Sequence, residues 1–106
     1  MSDANQFLDQ AIGQLSLADP LVTLLQEVKL GRMNATDAGL KAVTESWLET
    51  YRRVLGSAHC LDRTALLRLD PSPRVEVLIN AGVLAPEHPG VRALRAEFEQ
   101  RLVECK

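Results

Sequence analysis

The sequence predicts an all-α fold, a compact bundle of five or six amphipathic helices, on three observations. Apolar residues recur at three- and four-residue spacing along most of the chain. Asp-Pro, Ser-Pro and glycine punctuate those stretches in the places that suit helix starts and stops. Only residues 74–80, RVEVLIN, alternate as a strand would. The Ser-Pro start and the Gly82 stop favour a helix there too, and a lone strand would leave its backbone groups without partners.

The first helix is expected over residues 3–17, where Ala4, Phe7, Leu8, Ala11, Ile12 and Leu15 share one arc and Ser2 or Asp3 can cap the first turn. Asp19-Pro20 breaks the chain and restarts it. Leu21, Leu24, Leu25 and Val28 then stripe a second helix to about residue 30, with Lys29 in its last turn and Gly31 as its stop. The third and longest helix is expected over about 34–55, capped by Asn34 with Asp37 three residues on. Its stripe of Leu40, Val43, Trp47, Leu48, Tyr51, Val54 and Leu55 covers an arc of about 140°, wider than the roughly 100° a core face requires. A short helix near 61–69, with Ser57 or Asp62 as its cap, stops at Asp70-Pro71. Ser72-Pro73 opens the next, Val83 and Leu84 tuck under the domain after Gly82, and APEHPG links to a last helix over about 90–104. That helix carries Val91, Leu94, Phe98 and Leu102 on one face. The helices at 3–17, 34–55 and 90–104 form the expected main layer, and residues 61–82 a pair of shorter helices closing one end. No internal repeat or linker stands out, so residues 1–106 read as a single helical domain.

Composition narrows the function classes. With 46% hydrophobic and 25% charged residues, the chain can build a core and is not disordered. No apolar run approaches the ~20 residues that span a bilayer. The opening MSDANQFLDQ lacks a basic start and an apolar stretch, so a cytoplasmic protein is expected. A net charge of −2 gives no general basic excess for nucleic acid. Cys60 and Cys105 are expected to be reduced thiols.

No reactive constellation survives inspection. His59, Cys60, His88 and Cys105 have no zinc-like spacing, and neighbouring His59 and Cys60 point apart on a helix. There is no nucleophile turn, phosphate loop or dinucleotide fingerprint, so no enzyme, metal or cofactor is expected. The remaining reading is a non-catalytic interaction module, a regulatory, adaptor or chaperone-like subunit. It would bind another protein or a second copy of itself, as a homodimer, through an apolar helical face. The broad third helix nominates Trp47, Leu48, Tyr51 and Leu55, because Trp and Tyr are enriched at the energetic centres of interfaces. The alternative is a helix-turn-helix-like DNA-binding regulator using residues 61–80, with Arg63, Arg68 and Arg74 on the DNA. Its second helix is mostly apolar, with only Arg74, Glu76 and Asn80 to read bases.

Overall fold

Local capping chemistry sets where the helices begin. A computed structural model of the protein describes residues 3–15, 20–58 and 61–104. Among them every regular element is helical: α1 (Asp3–Leu15), α2 (Pro20–Lys29), α3 (Ala38–Gly56), α4 (Arg63–Leu67), α5 (Ser72–Asn80) and α6 (Pro89–Glu104). Four of these have ten residues or more, while α4 and α5 are short segments of five and nine. The strand-like alternation of residues 74–80 is therefore helical: Val75 and Leu78 turn inward and Val77 outward. The side chains of Ser2, Asp3 and Ala4, and residues 16–17 of the first expected helix, lie outside the described residues. No helix among the described residues is long and apolar enough to cross a membrane.

The third helix starts later than its sequence suggests. Asn34 spends its side chain on a turn, where Oδ1 accepts from the Thr36 N–H at 2.9 Å and the Thr36 hydroxyl at 2.8 Å. Asp37 becomes the cap, accepting from the Gly39 and Leu40 N–H groups. Asp62 caps α4 through the Ala65 N–H, and Asp70 accepts from Ser72 N–H as α5 begins.

The chain repeats itself at an interval of fifty-one positions. Helices α2 and α3 with their loop recur as α5 and α6 with theirs. Each loop opens on a left-handed glycine, Gly31 at φ 77° and Gly82 at φ 78°. The turn bonds Leu30 to Gln26, Gly31 to Val28, Arg32 to Glu27, Asp37 to Asn34 and Lys41 to Asp37 run from N–H to carbonyl. Each has a counterpart: Ala81 to Val77, Gly82 to Ile79, Val83 to Leu78, His88 to Ala85 and Arg92 to His88. The caps match as well. Asp37 Oδ1 accepts from Gly39 N–H at 2.9 Å, and His88 Nδ1 accepts from Gly90 N–H at 2.9 Å. Leu40 and Val91 are both buried, as are Trp47 and Phe98.

Packing follows the same division, because α1 lies on α3 and α4 lies on α6. The chain thus divides along its sequence into two units, residues 3–58 and 61–104, whose α3 and α6 pack chiefly on each other. This corrects the expectation of no repeat. The positions that stay identical are mainly punctuation, namely Asp19-Pro20 with Asp70-Pro71, Gly31 with Gly82 and Gly39 with Gly90, while the helix faces between them have diverged.

The core draws from all six segments. Leu8, Ala11 and Leu15 of α1 meet α3, and Val75, Leu78, Leu84, Val91 and Leu94 fill the second unit. Leu84 is buried and Val83 half-buried after Gly82, as the sequence suggested.

The equivalence of the loops has a measurable consequence. An added Cβ meets nothing within 4 Å at Gly31 and only Ala35 at 3.8 Å at Gly82, so backbone conformation alone resists substitution. Gly31→Ala and Gly82→Ala should each lower stability by about 1–2 kcal/mol in urea unfolding, with similar midpoint shifts. A loss at only one of the two would show that the loops are not equivalent.

Candidate functional site

The four nominated interface residues belong to the core of the chain itself. Trp47 is 8% exposed, Leu48 2%, and Tyr51 and Leu55 are fully buried. The breadth of α3 therefore does not mark an outward docking face. It consists of two stripes. Leu40, Val43 and Trp47 match Val91, Leu94 and Phe98 of α6 and face inward within their own unit. Thr44, Leu48, Tyr51 and Leu55 form the second stripe, directed at the second unit. Leu48 lies so near the start of α6 that a Cβ on Gly90 would meet its Cδ1 at 2.9 Å. Glu45, beside this stripe, reaches His88 Nε2 at 2.7 Å. With His88 Nδ1 accepting from Gly90 N–H, the ring proton sits on Nε2 and is donated to Glu45.

The two aromatic residues carry polar tips into the core. Their rings meet edge to face at 5.3 Å and 89°. Trp47 Nε1–H donates to the Leu15 carbonyl at 3.3 Å, at the end of α1. The Tyr51 hydroxyl donates to the Leu69 carbonyl at 2.7 Å, just after α4. It also accepts from Arg74 Nη1 at 3.2 Å, whose guanidinium lies 5.9 Å from the ring centroid. Burial pushes the Tyr51 pKa from 10.0 to about 12. The charge and hydrogen bond of Arg74 pull it back in part, and Asp70 adds a small upward push.

This arrangement also places the candidate DNA contacts. Arg74 is half-buried and committed to Tyr51 and the Asp70 carbonyl. Arg63 and Arg68 are exposed, but five positions apart at 100° per residue separates them by about 140° around the helix. The three do not form one solvent-facing set. His59, Cys60 and Cys105 lie outside the described residues. Among the described residues no three His, Cys, Asp or Glu side chains gather where a metal could bind.

A different surface emerges from helix packing. The ten residues of α2 include Leu21, Val22, Leu24, Leu25 and Val28, of which only Leu21 is buried. Between α2 and α5 runs an open groove of about 650 Å³, lined by Val22, Leu25, Gln26, Val28 and Lys29 on one side and Val77, Asn80 and Ala81 on the other. Exposed Leu30 and Val77, at 63% and 45%, stand beside it and within it. The 3.6-residue period carries a signal for this face, because Val22, Leu25, Gln26 and Lys29 make a second α2 stripe beside the inward one. Reading α2 for a single stripe hid it. No family model, no curated protein and no solved structure matches the chain.

Two measurements test the aromatic assignment. Trp47→Ala should cost about 3–5 kcal/mol of stability in chemical unfolding, as a large core deletion does; a folded variant of near-normal stability would return Trp47 to the surface. Tyr51 is the only tyrosine, so its ionisation can be followed by ultraviolet absorbance. Its raised pKa favours the protonated form in the folded chain. That contribution to stability is full below pH 10 and is lost as pH rises towards about 12. Absorbance should therefore report tyrosinate only near pH 12, or together with alkaline unfolding. Titration at pH 10 with the helices intact would contradict the buried hydroxyl.

Proposed function

We propose that this chain is a non-catalytic interaction module of the cytoplasm that holds a partner protein in the groove between α2 and α5. The observation that carries the reading is the incomplete burial of α2: Leu25 and Val28 pack in part on the core, and with Val22 they also line an open groove. Contiguous apolar surface of this kind marks protein contacts more often than it marks inert surface. The reading keeps the association function that the sequence suggests and moves its seat from α3 to α2 and α5. On this view α4 and α5 count as bundle helices in their own right, counterparts of α1 and α2, which makes a bundle of six.

Other functions have weaker support. The Tyr51 hydroxyl, though strongly perturbed, is enclosed and committed to Leu69 and Arg74, out of a substrate's reach. The DNA-binding alternative loses Arg74 to the same contact.

Site-specific photocrosslinking tests the proposal. A photoreactive residue at Val77 should yield a discrete adduct with another protein in the native host, and Leu25→Asp should abolish it. The same residue at exposed Arg95 of α6 should yield none. No adduct at Val77, or one indifferent to Leu25→Asp, would remove the groove as the binding site.

A further inference from the structure

We infer that the partner presents an amphipathic helix whose apolar stripe is bordered by an acidic residue, received by Lys29. The inference rests on the groove being the binding face and adds the chemistry of its occupant.

The form of the occupant follows from what lines the groove. Every regular element among the described residues is a helix, so no strand edge is offered to an extended peptide. The lining holds no aromatic ring for a polyproline segment and no arginine for a phosphorylated one. It is a shallow apolar trough between two helices, the setting in which a third helix packs ridges into grooves. Along α2 its lining runs from Val22 to Lys29, about 11 Å or two helical turns.

The charge follows from the same residues. Among the described residues Lys29 is the only charged one that lines the groove, and it is exposed. It falls on the α2 stripe that faces the groove, seven positions after Val22 and four after Leu25. Gln26 and Asn80 are polar but neutral. The nearest α2 acid, Glu27, pairs with Arg32 at 3.4 Å, and Glu76 of α5 does not line the groove. Among the described residues the trough is thus apolar with one cation. A carboxylate beside the partner's apolar stripe would complement it, and a lysine there would be repelled.

Two labelled 18-residue model helices make the test. Both carry the same leucine stripe at helical spacing, one flanked by glutamate and one by lysine. Fluorescence anisotropy with the full chain should show the glutamate helix binding about fivefold more tightly, the scale of one partly exposed ion pair. Lys29→Glu should invert that order, and Val77→Asp should abolish binding of both. Equal binding of both helices, lost in Val77→Asp, would overturn the acidic preference and leave the groove standing. No binding of either, while Val77 still crosslinks to a protein in the host, would overturn the helical occupant. Binding that ignores Val77→Asp would overturn the groove itself. Light scattering of the unliganded chain completes the set, because a dimer abolished by Val77→Asp would make a second copy the occupant and overturn the inference.

Discussion

Two backbone carbonyls beside helix ends accept hydrogen bonds from buried side chains of α3, and the fold is organised around these two bonds. The last carbonyls of any helix lack intrahelical donors. Leu15 closes α1 and Leu69 follows α4, and both are fully buried residues. Trp47 and Tyr51, one turn apart on α3, supply the missing donors. An unpaired buried carbonyl costs about 1–3 kcal/mol, so these bonds fix the places where α1 and the α4–α5 junction can lie against α3. Arg74 then sits against the outer side of Tyr51 and ties α5 to the same point. A pair of phenylalanines would fill much of the space and remove both donors.

This also explains why α3 differs from α6, its counterpart in the second unit. Both helices need an inward stripe, and both have one. Both lie at the join between the units, but only α3 carries a second buried stripe there. At the positions that match Thr44 and Leu48, α6 carries Arg95 and Glu99, both exposed. A third unit could not stack on that face as the second stacks on α3. Repeated helical folds close in this manner, with a polar outer surface on the terminal unit.

The helices themselves were legible because spacing, proline and glycine act locally. Gly31, Gly82, Asp37 and Asp62 all act near their own positions, and each element existed where its pattern lay. What escaped was competition between equally good local choices and information that is not local. Asn34 suits a helix cap, yet Thr36 offers it two donors in a tight turn, and Asp37 caps the helix instead. The repeat escaped because its conserved residues are loop residues, while Gln26 and Val77, or Leu25 and Glu76, share positions without sharing character. The α3 arc was measured correctly but assigned to a partner outside the chain, when the second unit inside the chain covers it. No periodicity reveals which body covers an apolar stripe.

The same comparison gives α2 its meaning. Like α3, it carries more apolar surface than one packing face uses. Unlike that of α3, its second stripe is only partly covered by the chain, with Val22 and Leu25 half-buried and Gln26 and Lys29 exposed. The counterpart helix α5 shows what folding alone requires at these positions. Where α2 has Val22 and Leu25, α5 has Pro73 and Glu76, both exposed, and α5 still buries Val75 and Leu78. A helix in this place of the unit thus packs without apolar residues at those two positions. Val22 and Leu25 are half-buried and still leave apolar surface to water, and its hydration is unfavourable. If a partner helix seats in the groove, as proposed, it would cover that surface together with Val77 and Ala81, and the counterpart positions Pro73 and Glu76 would need no such cover.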